Sequence, residues 1–283
     1  MPISNVAGDA GAVDLSVVAL VWNSERHVRT CVERTVAQAE EAGLSWEFHV
    51  VDNGSTDATP AILDELVGEY PGLEVRRLGE NRGTTYPRNL ALRACRGRYV
   101  CVLDSDAFPE PGCFEALLRV LREHPGVGIA VPRLVYPDGR YQKSTDVFPT
   151  VTRKVRRALF LKRIESAETP PASGPVDYAI SAFWLLRREV LQGVGLLDER
   201  IFYAPEDVDY CLRVWRAGLQ VWYAAEAVAV HDAQEKSRRL LPNRLMLSHL
   251  RGLAYYFWKH GYLVRAPRPG DGPAPSPAHE RRS

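Results

Sequence analysis

Apolar, β-favouring runs alternate with amphipathic stretches from residue 15 to residue 104, and this alternation limits the fold more than any other feature. LSVVALVWN (15–23) reads as a buried strand, and SERHVRTCVERTVAQAEEAG (24–43) as a helix with Ser24 as its N-cap and Gly43 at its end. WEFHVVDNG is a second strand, and STDATPAILDELVGEY a second helix capped by Ser55 or Thr56. LEVRRLG is a short third strand, a third helix starts near Pro87, and RYVCVLDSD is the next strand. Strand and helix in strict succession predict a mostly parallel, doubly wound, Rossmann-like sheet with helices on both faces. In such sheets functional groups gather at the carboxyl ends of the strands. Asn23, Asp52-Asn53 and the Asp104–Asp106 pair all fall there.

The second half changes character. GVGIAVPRLVYPDGRYQKS (126–144) predicts strands joined at a Pro-Asp-Gly turn, and VDYAISAFWLLRREVLQGVGLLDE (176–199) a strand leading into a helix that Gly193 or Gly195 ends. EDVDYCLRVWRAG (206–218) is a short amphipathic helix with its acids at the start, and QVWYAAEAVAVHD (220–232) a closing strand. The resulting division is a loose tail over 1–13, an α/β domain over 14–240, an amphipathic helical segment over 241–265 and a Pro-rich disordered tail over 266–283.

Composition excludes several classes. Thirty-six basic and 35 acidic residues leave a net charge of +1, which gives no global drive toward nucleic acid. The five cysteines are odd in number and lack CxxC spacing, which fits buried free thiols in a reducing cytoplasm. The first residues carry no basic-then-apolar leader pattern, and no apolar run approaches the ~20 residues of a spanning helix.

A buried strand that ends in Asp104 and Asp106 calls for explanation. Aspartate favours turns, glutamate and aspartate start helices, and a histidine often ends a strand, so each feature alone has a structural reading. Taken together, Asp104, Asp106, the Glu206-Asp207 pair and His231 fit one chemistry. Mg²⁺ or Mn²⁺ takes a few carboxylates plus substrate phosphate oxygens, and Mn²⁺ also accepts an imidazole. A cation on Asp106 and His231 would neutralise a departing diphosphate, while Asp207 takes a proton from an attacking hydroxyl.

Six motifs in order carry a resemblance over residues 14–240: VVALVWN, VVDNGSTDAT, NRGTTYPRN, DSD, GLLDERIFYAPEDVDYCLRVWRAG and VAVHD. The chain resembles the family 2 glycosyltransferases of GT-A fold, bacterial rhamnosyltransferase-like members in particular. The resemblance implies donor contacts at Asn23, Asp52, Asn53, Asn81, Gly83, Asn89, Asp104 and Ser105, metal contacts at Asp106 and His231, and a catalytic pair Glu206-Asp207 with Asp207 as base. It also implies single displacement with inversion from a nucleotide-sugar donor, dTDP-rhamnose or a UDP-sugar, to a glycan or lipid-linked acceptor. Asn53 stands where many members carry an aspartate, and its amide oxygen can accept from N3–H of a pyrimidine. Thr84-Thr85-Tyr86-Pro87 replaces a smaller run in the donor pocket, and Ser181-Ala182 stands where many relatives have glycine near the acceptor.

Two readings compete with this one: a sugar nucleotidyltransferase, and a non-catalytic subunit that binds nucleotide sugars. Two segments also stay open. The basic RKVRRALFLKR (153–163) and the aromatic 244–265 read as a solvated face and a docked helix, as contacts with an anionic membrane, or, for 244–265, as a homodimer interface.

Overall fold

The computed structural model describes residues 13–153, 169–233 and 244–267. Nearly all of the basic stretch 153–163, the initial tail and most of the Pro-rich tail therefore lie outside the described residues. The elements in chain order are β1 (Leu15–Val21), α1 (Val28–Glu41), β2 (Trp46–Asp52), α2 (Thr59–Glu69), β3 (Leu73–Arg77), α3 (Thr85–Leu92) and β4 (Tyr99–Asp104). There follow β5 (Ala107–Pro109), α4 (Cys113–Glu123), β6 (Val127–Val135), β7 (Tyr141–Gln142), β8 (Thr145–Asp146), β9 (Gly174–Val176) and β10 (Tyr178–Ala179). The last are β11 (Phe183–Arg187), α5 (Arg188–Val194), α6 (Glu206–Arg216), β12 (Gln220–His231) and α7 (Arg244–His260).

One sheet runs β3-β2-β1-β4-β11-β6-β12-β5, with β7 on β6 and β9 on β12. The first four strands are parallel, as their alternation with helices requires. Strand β11 then enters antiparallel between β4 and β6. Four of the five residues in FWLLR are apolar, which accounts for its burial but sets no direction. The expected closing strand is an interior one: β12 pairs with β6 on one side and with β5 and β9 on the other.

Apolar side chains fill both faces. Leu15, Val17, Ala19 and Val21 of β1 alternate onto the face covered by α1, α2 and α4, where Cys31, Leu63 and Phe114 are buried. Val18 points to the opposite face with Trp184, Tyr210, Val214 and Tyr256, under α3, α5, α6 and α7. All five cysteines are free, and four are buried. Burial pushes the Cys101 thiol well above its ordinary value.

Two helix starts differ from expectation, for one reason: the predicted capping hydroxyls serve tertiary bonds. The Ser24 carbonyl accepts from the amides of His27 and Val28, each at 2.9 Å, in a turn before α1, while its hydroxyl meets that of Ser105 at 2.8 Å. Ser55 and Thr56 bond to Asn23, and α2 begins after Asp57, whose carboxylate accepts from the Thr59 amide at 3.0 Å. Gly195 ends α5 at φ +85°.

Candidate active site

Strand register sets the site. Leu20 lies opposite Asp104, and Val21 opposite Asp52, so β1, β2 and β4 end almost level. Past Asp104 the chain turns and returns as β5, antiparallel to β12, with Ala107 opposite His231. The Asp232 amide donates to the Asp106 carbonyl at 2.9 Å and closes this junction. His231 is thereby carried to the DSD turn, its Nε2 3.4 Å from the Asp106 carboxylate.

The other ring nitrogen decides what His231 can do. Its Nδ1–H donates to Oε1 of Gln142 on β7 at 2.8 Å, which turns the Nε2 lone pair toward the acids. Ligand atoms of Asp104, Asp106 and His231 all lie within 4.8 Å of one another. Two carboxylates and one imidazole are a donor set that suits Mn²⁺ and allows Mg²⁺, phosphate oxygens and water completing the shell. Burial and the Asp106 charge push the Asp104 carboxyl up against the opposing pull of Arg88. Burial pulls the His231 imidazole down, but the carboxylates of Asp106, Asp104 and Asp232 outweigh it and hold it above its ordinary value. A divalent cation would relieve this crowding of negative charge.

The acids near residue 206 reach the same cleft through Arg88, which projects from α3 and is 2% exposed. One guanidinium nitrogen donates to Asp104, and another to the Ser181 hydroxyl at 2.7 Å and to Glu206 at 3.3 Å. The Ser181 hydroxyl in turn donates to Glu206 at 3.1 Å. Burial and the neighbouring Asp207 push the Glu206 carboxyl up to about 8, although Arg88 opposes them. Asp207, in the same first turn of α6, is half-buried, and its carboxylate accepts from the Val208 amide at 2.8 Å.

The expected donor-side residues mostly build the walls of the cleft. Asn23 takes φ +49°, and its side-chain oxygen accepts from the Thr56 amide at 2.8 Å, tying β1 to the loop after β2. Asp52 accepts from the Ser55 amide at 2.9 Å. Asn53 is 2% exposed: its amide donates to the Gly83 carbonyl at 2.8 Å and accepts from the Arg82 amide at 2.8 Å. The side-chain oxygen of Asn81 accepts from the Gly83 amide at 2.9 Å. Gly83 has φ +79°, and an added Cβ would stand 2.1 Å from the Phe202 carbonyl, so only glycine lets the two loops meet. Asn89 is buried and pins the loop before α6, exchanging bonds with both backbone groups of Leu197 at 2.9 and 3.0 Å. These residues thus shape the loops that border the site, while Asp104, Asp106 and His231 form its centre.

Three residues escape the sequence reading. Arg88 looks like an ordinary helix-surface cation inside NRGTTYPRN, and Gln142 carries no pattern at all. Trp22 does leave a signal: a large aromatic next to Asn23 at a strand's carboxyl end, 51% exposed.

Comparison with known proteins agrees with this geometry. The family model described as Glycosyl transferase family 2 matches residues 16–195. A pre-mycofactocin glycosyltransferase of Mycobacterium tuberculosis is 32% identical over 195 residues, covering 67% of this chain, which spans only 38% of that relative. An N-acetylglucosaminyl-diphospho-decaprenol L-rhamnosyltransferase of the same organism is 27% identical over 273 residues, covering 89% of this chain and 87% of its own. Among solved structures, GalNAc-T7 with UDP, GalNAc and Mn²⁺ has a TM-score of 0.66 at 15% identity, covering 89% of this chain and 48% of that one. The mannosyltransferase PcManGT of Pyrobaculum calidifontis, in complex with GDP-Man and Mn²⁺, has a TM-score of 0.59 at 19% identity, covering 94% and 69%. The fold is that of the GT-A glycosyltransferases, and the chain belongs to glycosyl transferase family 2.

Proposed function

We propose that this protein transfers a sugar, with inversion, from a pyrimidine nucleotide-diphosphate donor to an acceptor hydroxyl in bacterial glycan or glycolipid synthesis, at the cytoplasmic side of the membrane. One observation carries the reading: a single buried guanidinium, Arg88, bonds both to the DSD turn that meets His231 and to the Glu206-Asp207 pair. Bound Mg²⁺ or Mn²⁺ would neutralise charge on the leaving diphosphate, and Asp104, Asp106 and His231 are the residues that would hold it. Asp207, in the first turn of α6, takes the acceptor's proton as the acceptor oxygen attacks the anomeric carbon. Glu206, pushed up to about 8, keeps its proton near neutrality and serves as the acceptor for Arg88 and Ser181. Trp22 offers its exposed face to the donor's base. The likeness to a decaprenol-linked rhamnosyltransferase over 89% of the chain favours dTDP-rhamnose and a lipid-linked acceptor.

The test is a panel of nucleotide sugars scored by Mn²⁺-dependent thermal stabilisation and by product analysis. dTDP- and UDP-sugars should raise the melting temperature and GDP-sugars should not; Asp106→Ala should abolish the shift, and Asp207→Asn should keep it while losing transfer. A GDP-sugar response of equal size sinks the pyrimidine assignment. Pyrophosphate release from a nucleoside triphosphate and a sugar phosphate would instead indicate nucleotidyl transfer.

A further inference from the structure

The strongest feature outside the cleft is the outer face of α7. Its inner face is firmly seated. Tyr256 and Phe257 are buried, and Asp209, itself 0% exposed, accepts from Lys259 at 2.6 Å and His260 at 2.8 Å. Gly252 lies so close to the loop before α6 that an added Cβ would stand 2.1 Å from the Ala204 carbonyl. The helix therefore has a fixed rotation.

That rotation turns an apolar stripe to solvent. Leu247, Leu250, Ala254 and Trp258 follow one another at helical spacing and are all exposed, Trp258 at 72%. Past the helix, Leu263 and Val264 are exposed as well, and the Leu263 carbonyl accepts from the amide of exposed Val151 at 2.8 Å. Of the eleven large apolar side chains exposed among the described residues, five lie in 247–264, so this is one concentrated surface and not the usual scatter. Its charge has one sign. Residues 244–267 include Arg244, Arg251, Lys259 and Arg265 and no aspartate or glutamate, and Arg251 and Arg265 are exposed.

We propose that this face docks on an anionic lipid bilayer, with Trp258 and the leucines at the headgroup–acyl boundary and Arg251 and Arg265 against lipid phosphates. An exposed tryptophan in an apolar stripe edged by arginine, on a segment without an acidic side chain of its own, is the composition that binds such surfaces. The position serves the cleft. Gly252 abuts the loop that carries exposed Phe202 and Tyr203, and the Phe202 carbonyl accepts from the Thr84 amide at 2.6 Å on the donor-side loop. Docking would bring the cleft's rim to the membrane, where a lipid-linked acceptor presents its hydroxyl; this last step rests on the proposed function.

The experiment is co-sedimentation of the full chain with vesicles of phosphatidylcholine alone or mixed with phosphatidylglycerol. Binding is expected to the anionic vesicles and to fall at about 0.5 M salt. Trp258→Ala with Leu250→Ala, and separately Arg251→Glu with Arg265→Glu, should each weaken it by roughly tenfold or more, with melting temperatures unchanged because the altered side chains are exposed. No binding of the intact chain, or equal binding by both double variants, overturns the proposal. So does a dimer in size-exclusion chromatography that Trp258→Ala with Leu250→Ala dissolves, since a second copy would then cover the face. Donor-induced thermal shifts on the same samples separate the two ideas: shifts without vesicle binding sink the docking face alone, and vesicle binding without shifts sinks the donor assignment alone.

Discussion

Replacing Arg88 by methionine should expose how strongly the cleft depends on one charge. The guanidinium is 2% exposed and donates to Asp104, Glu206 and the Ser181 hydroxyl. Methionine fills similar volume but leaves half-exposed Asp104 without its counter-charge and buried Glu206 and Ser181 without their donor. Leaving a buried acceptor without its donor costs about 1–3 kcal/mol per group, and Arg88 serves more than one. At roughly 2–4 °C per kcal/mol for a large domain, the melting temperature should fall by about 10 °C at pH 8. The pH dependence is the discriminating part. Glu206 already has its carboxyl raised to about 8, and loss of Arg88 removes the influence that lowers it. The folded variant then binds more protons than the unfolded chain from the ordinary glutamate range up to that raised value. Its stability therefore falls as pH rises through this window, but the parent shares that fall up to about 8, so the deficit should stay level below this value and widen above it. Urea denaturation at pH 6, 7, 8, 9 and 10, with chelator present so that only the protein's own charges count, measures this directly. A deficit below about 1 kcal/mol, or one that does not widen above pH 8, would refute the idea that Arg88 holds down the charge of Glu206.

Gln142→Leu should weaken Mn²⁺ binding by about 10–100-fold without unfolding the protein, because the acceptor that holds the His231 Nδ1–H is lost; an unchanged Mn²⁺ affinity in a thermal-shift titration removes Gln142 from the account. Trp22→Ala should weaken donor binding by about tenfold or more, with Trp22→Phe recovering most of it, since stacking on a base contributes roughly 1–3 kcal/mol; calorimetric titration giving equal affinities for all three proteins would exclude the stacking role.

Legibility in the sequence followed locality. Strands β1, β2 and β4 were readable because each is an apolar run that ends at polar turn residues, and their parallel order follows from the helices between them. The helix starts were misplaced because a capping hydroxyl and a tertiary hydrogen bond look alike in sequence: Ser24 bonds to Ser105, and Ser55 to Asn23. The direction of β11 was unreadable, since five apolar or long residues fit either polarity. The meeting of His231 with Asp106 depends on β5, a strand of three residues too short to show any period. Arg88 is the clearest case. An arginine on an eight-residue helix reads as solvated, and only the placement of Asp104, Ser181 and Glu206 around it makes it central.

The charges gathered in the cleft also dictate an order of dependence. Asp104, Asp106 and Asp207 bring negative charge to a site where Arg88 is the buried cation and is already engaged with Asp104 and Glu206. A nucleotide diphosphate arriving at these residues alone meets like charge at short range in a partly buried setting, where screening by salt is weak. Donor affinity should therefore be low without a divalent cation and rise when one is supplied. Linkage makes the effect reciprocal: the donor must tighten cation binding by the same factor by which the cation tightens donor binding. The His231 imidazole fits the same scheme. Held above its ordinary value by the surrounding acids, it carries part of the missing positive charge when it is protonated, and it must give up that proton before Nε2 can act as a ligand. Cation affinity should thus fall as pH drops through the imidazole range, and the donor's dependence on the cation should follow it.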